Sequence, residues 1–103
     1  MFARSAYFRV TSLNMAAEFA RTFENEIFPL LREQRGFQGE ITLSNPGSLE
    51  QIATSLWEKE TNAEAYNANV YPQVLKILAR VIDGKPKIRT YQAVTVHIDP
   101  STR

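Results

Sequence analysis

The order in which hydrophobic periods change along the chain restricts the fold more than any other feature. Ala3 to Val10 mixes Ala6, Tyr7, Phe8 and Val10 with Arg4 and Arg9, the pattern of a strand with a partly buried second face. Ala16, Phe19, Ala20, Phe23, Ile27, Leu30 and Leu31 then recur at three- and four-residue spacing, the stripe of an amphipathic helix. Thr11, Ser12 and Asn14 precede it as cap candidates, and Glu18, Arg21, Glu24 and Arg32 take its outer positions. Pro29 has no amide hydrogen and is expected to kink or break the last turns, with Gly36 as the stop.

The period then falls to two. Phe37 to Leu43 alternates Phe37, Gly39, Ile41 and Leu43 with Gln38, Glu40 and Thr42, which predicts a half-buried strand. Ser44-Asn45-Pro46-Gly47-Ser48 supplies a tight turn, and Gln51 to Glu58 resumes the extended pattern as the second arm of a hairpin. Thr61-Asn62-Ala63-Glu64 has capping-box spacing and predicts a second helix starting at Thr61. Its stripe includes Tyr66, Val70, Val74, Ile77 and Val81, and Pro72 divides it into two pieces meeting near Tyr71. After Asp83-Gly84-Lys85-Pro86 a long strand is expected from Lys87 to Ile98. Ile88, Val94, Val96 and Ile98 would share one of its faces, with Arg89, Tyr91, Ala93, Thr95 and His97 on the other.

The order β-α-β-β-α-β defines a ferredoxin-like α+β fold, a four-stranded antiparallel sheet with two helices on one face. No linker divides the chain, so one domain is expected over residues 1–103. The sheet face left bare should display Tyr7, Ala53, Trp57, Tyr91 and Ala93, and a face-to-face homodimer is the simplest cover for it. A register slip of one residue would send each of these side chains to the opposite face, Trp57 above all.

Composition removes several function classes. With no Cys and one His among 103 residues, disulfides, thiolate metal sites and cysteine nucleophiles are excluded, and no metal is expected. Twelve Lys+Arg against 11 Asp+Glu give a net charge of +1, too little for a nucleic-acid footprint. Apolar runs are far shorter than the roughly 20 residues of a membrane span and no secretory apolar region is visible, so no membrane partner and a cytoplasmic location are expected. Phosphate-loop, dinucleotide and nucleophile-elbow motifs are missing.

Pro29-Leu30-Leu31-Arg32 followed by Arg35-Gly36-Phe37-Gln38-Gly39, together with Leu56-Trp57-Glu58-Lys59, resembles the antibiotic biosynthesis monooxygenase domain of the dimeric α+β barrel superfamily. The resemblance spans most of the chain. It implies a homodimer whose sheets form a barrel, a cavity between sheet and helices in each subunit, and chemistry without a cofactor on a small aromatic or quinonoid substrate. The family also includes many members without known activity, and the alternative for this chain is a non-catalytic small-molecule-binding or structural homodimer. The anthrone-oxygenating type has Asn four residues before the strand Trp and Tyr six after it, where this chain has Ala53 and Ala63. The haem-degrading pattern meets Tyr66 and Lys76, and the quinol-type His position holds Tyr71, so haem degradation is disfavoured.

An oxygenase of this kind needs a base, donors for the substrate's oxygens and exclusion of water. Tyr66 and Tyr71 are the candidates to hydrogen-bond such an oxygen, with Trp57 stacking on a flat ring, although core packing explains the same three residues. His97, two residues before Asp99 on the same strand side, is the remaining catalytic candidate, beside a surface or interface role. Glu58, Glu60 and Glu64 read as solvated acids at a helix start, and Arg80, Lys85, Lys87 and Arg89 as a solvated basic loop.

Overall fold

In the computed structural model, residues 1–99 are described; Pro100 and the end of the expected domain lie outside them. Four strands, β1 (Phe2–Arg9), β2 (Phe37–Ser44), β3 (Glu50–Trp57) and β4 (Lys87–Gln92), form an antiparallel sheet in the order β2-β3-β1-β4. Two helical arms cover one face, giving the ferredoxin-like α+β fold that the periodicities predict. None of the helices among the described residues is long and apolar enough to cross a membrane.

The first arm runs through α1 (Met15–Thr22), a π-helical turn (Phe23–Ile27) and α2 (Phe28–Arg32). Pro29 sits in the first turn of α2, directly after the π-helical turn, and has no amide hydrogen to donate back into that turn. The Phe28 amide reaches back five residues to the Phe23 carbonyl, the widened bond that defines the turn. Its effect on packing follows from helical phase. A four-residue spacing drifts about 40° per step at 3.6 residues per turn, and the wide turn removes drift, so Phe19, Phe23, Ile27 and Leu31 are all buried.

The second arm comprises α3 (Glu60–Asn69) and α4 (Tyr71–Leu78), broken at Val70 just ahead of Pro72 as expected. Its start differs from the capping-box prediction. Lys59 occupies the cap position, and Asn62 reaches back so that its Oδ1 accepts the Lys59 amide at 3.0 Å, leaving Thr61 inside the first turn. Asn62 thus performs the reach-back assigned to Glu64, because the helix cap lies two residues earlier.

Three other expectations are corrected. Gln51, Ala53, Ser55 and Trp57 alternate as the buried side of β3, so Ala53 and Trp57 face the helices and not the bare face. In β2 the register shifts between Phe37 and Gly39, and Gln38 is the extra residue. Phe37 therefore packs inward while Ile41 and Leu43 are about half exposed on the bare face, and Glu40 and Thr42 turn toward the helices. The last strand ends at Gln92; Val94, Val96, His97 and Ile98 follow in an exposed segment without strand pairing.

Tyr7 and Tyr91 do share the bare face, where β1 pairs Ala3 with Tyr91 and Ser5 with Arg89. Two aromatic rows hold the other face together. Phe8, Phe19 and Phe23 follow at 5.1 and 5.8 Å between ring centroids, and Phe37, Trp57, Tyr66 and Tyr71 at 5.6, 5.2 and 6.1 Å.

Candidate functional site

Ala6 and Ala53 put small side chains on the helix-facing side of the sheet, and a cavity remains between them and the arms. Its volume is about 10 Å³, room for a single water molecule. Arg4, Glu40, Tyr66 and Tyr71 contribute the polar groups of its wall. Phe23 of the π-helical turn and Glu40 line both this cavity and a groove of about 360 Å³ that opens between the first arm and β2. The groove, unlike the cavity, has the size of a small-molecule site.

Arg4 comes from the middle of β1 and is 4% exposed. Its Nη2 donates to Asn67 Oδ1 at 2.7 Å, and the guanidinium carbon lies 4.1 Å from the Tyr71 ring centroid and 5.1 Å from that of Tyr66. Such cation–π contacts contribute about 0.5 to 2 kcal/mol each. Both ion pairs among the described residues use Glu18, so no carboxylate pairs with this buried cation.

Burial pushes the Tyr66 hydroxyl up to about 12, against the pull of Arg4. Tyr71 is also raised by burial and opposed by the charge and the adjacent donors of Arg4, and its buried hydroxyl makes no well-formed hydrogen bond. Both tyrosines are therefore neutral donors near pH 7. Glu40 is raised by burial as well, partly offset by the Thr42 hydroxyl, which donates to its Oε2 at 2.7 Å. In the groove, the fully buried Gln51 side chain leaves both amide atoms unpartnered.

The sequence candidates separate. Tyr66 and Tyr71 meet at the cavity, and Trp57 stands behind Tyr66 without lining it, its Nε1 donating to Ser55 Oγ at 2.8 Å. His97 and Asp99 lie in the exposed segment after β4 and do not line the cavity. Glu60 and Glu64 line a separate groove at the outer side of Arg4. No group of three or more metal-binding side chains occurs among the described residues. Arg4, Glu40 and Gln51 were not singled out from the sequence. A charged residue inside the apolar run of the first strand was the visible signal for Arg4, whereas the Gln38 bulge concealed Glu40.

No protein-family model matches the chain, and no curated protein matches it in sequence. Solved structures do resemble it. A monooxygenase of Streptomyces coelicolor, from the gene ActVA-Orf6 and in complex with nanaomycin D, superposes with a TM-score of 0.77 at 15% identity, covering 95% of this chain and 91% of that one. A Bordetella bronchiseptica protein assigned to the antibiotic biosynthesis monooxygenases gives 0.75 at 16%, covering 91% and 97%. SnoaB, a cofactor-independent oxygenase from Streptomyces nogalater, gives 0.68 at 14%, covering 92% and 94%. The chain thus has the α+β fold of antibiotic biosynthesis monooxygenase domains. A protein of unknown function shares that fold, which does not by itself assign a reaction.

Proposed function

We propose that the protein is a cofactor-independent monooxygenase acting on a small aromatic or quinonoid substrate, working in the cytoplasm as a homodimer joined through its bare sheet face. The convergence of buried polar groups on one cavity, reached from a groove of small-molecule size, carries this reading. Oxygenase neighbours on the same fold, one holding nanaomycin D, support it. A flat ring fills the groove and presents its oxygen-bearing edge past Phe23 to the Tyr71 hydroxyl, with Tyr66 and Trp57 forming the aromatic backing.

In this chemistry the substrate supplies the electrons. Loss of a proton gives an electron-rich anion that reduces dioxygen and forms a carbon–oxygen bond. A CH₂ group becomes C=O, one oxygen atom stays in the product, and the other leaves as water. The protein contributes the base, the donors and a dry site.

The one-water cavity and the Ala53, Ala63 and Tyr71 substitutions favour a second reading, a dimer that binds its ligand without turnover. Oxygen-electrode assays with anthrone-like and quinol-like compounds separate the two. Uptake matched to product is expected for the oxygenase, and no uptake across a broad panel sinks it.

A further inference from the structure

Gln51 stands on the helix-facing side of β3 and is 1% exposed, yet neither its Oε1 nor its Nε2 has a hydrogen-bond partner. Ser44 lies directly across the ladder on β2 and leaves both atoms unmet. A buried amide without partners costs stability that an apolar side chain of similar size does not. Its place in the fold explains the exception. Of the residues lining the groove between the first arm and β2, only Phe23 and Gln51 are buried, so these two form its floor. Ala20 and Phe28 add apolar wall, and the charged lining residues, Glu24 and Glu40, are both acidic.

We propose that the groove selects ligands that carry an amide edge, a lactam or primary carboxamide on a flat ring, and that Gln51 is the residue that reads it. This rests on the functional reading in which the groove is the ligand site, and it adds a substrate class. A side-chain amide holds an acceptor and a donor side by side in one plane. Meeting both at once takes a partner with the complementary pair at the same spacing, which a lactam offers as N–H beside C=O.

Other chemistries satisfy only half of Gln51. A carboxylate brings acceptors alone and is repelled by Glu24 and Glu40. An ammonium group brings donors alone and leaves Nε2 unmet. A hydroxyl next to a ring carbonyl ties its proton to that carbonyl and has none to give Oε1. The Gln51 amide turns about its terminal torsion, which is broad and soft, so it meets the ligand edge without moving β3. Phe23 and Phe28 flank the ring that carries the edge.

The test compares 2-quinolone with coumarin, which has the same bicyclic shape and a ring oxygen where the lactam has N–H. Titrated into the full chain and followed by calorimetry, 2-quinolone is expected to bind about ten- to hundredfold tighter than coumarin, the scale of two neutral hydrogen bonds. Gln51→Leu should abolish that preference by weakening 2-quinolone alone. The same change should hold or raise the melting temperature, because it removes a buried amide without partners. A purely structural role for Gln51 lowers the melting temperature and leaves the preference in place. Ala20→Trp, at the exposed rim, should block both probes and so locate them in the groove.

Equal affinity for the two probes in the unaltered protein means that water alone satisfies Gln51, and it overturns the proposal. A preference that survives Gln51→Leu, binding that survives Ala20→Trp, or no binding of 2-quinolone at millimolar concentration does the same. Oxygen uptake is read separately. Lactam selectivity without uptake leaves the amide site standing and removes the oxygenase, while uptake from a carbocyclic anthrone without lactam selectivity does the reverse.

Discussion

Gly36→Ala tests how tightly the end of the hairpin is tied to the start of α3. Gly36 has a φ of +82°, and a Cβ placed there would lie 2.3 Å from Asn62 Cγ and Oδ1. The left-handed backbone alone costs an L-residue about 1–2 kcal/mol. Moving Asn62 breaks its bond with the Lys59 amide, a loss of about 1 kcal/mol for a helix cap. The expected cost is therefore about 2–3 kcal/mol, a large share of the roughly 5–15 kcal/mol that stabilises a domain.

Gly84 provides the internal control, with a φ of +73° and nothing within 4 Å of an added Cβ. Gly84→Ala should cost only the backbone part, about 1–2 kcal/mol. Urea unfolding followed by circular dichroism measures both, with the melting temperature of Gly36→Ala lowered by about 8–24 °C. Adding Asn62→Ala to Gly36→Ala should cost less than the two single changes summed, because the clash and the cap share one side chain. If Gly36→Ala is no worse than Gly84→Ala, the reasoning about Asn62 is wrong.

Trp57→Phe should destabilise by about 1–3 kcal/mol through the lost indole donor and the space left in the core, and a denaturant titration that shows no change would contradict the buried bond. Burial raises the folded-state pKa of Glu40 above its unfolded value, so its contribution is most favourable at acid pH and declines as pH rises from the unfolded to the raised folded value. Glu40→Gln should flatten that decline, measurable as melting temperature against pH in both proteins. On the bare face, Ile41→Asp combined with Leu43→Asp should convert a dimer to monomer in sedimentation velocity, and an unchanged dimer would place the interface elsewhere.

The order of elements was legible because each arm carries its own period and its own proline. Pro29 and Pro72 mark the irregularities that appear as the π-helical turn and the Val70 break. The site was less legible, and the reason lies in two local choices. Trp57 alternates with Gln51, Ala53 and Ser55, three residues whose polarity or small size gives no clue to the buried side, so only strand pairing settles its direction. Tyr66 and Tyr71 could be read from the helix stripe, whereas the face taken by Arg4 is settled only by the place of β1 between β3 and β4.

The extra residue at Gln38 has a hereditary consequence. Removing that single codon would bring the pairs Phe37–Trp57 and Gly39–Leu56 into unbroken sequence, so β2 would alternate regularly with Glu40 and Thr42 still under the helices and Ile41 and Leu43 still on the bare face. Descendants of this gene can therefore change or lose Gln38 without exchanging the two surfaces of the sheet.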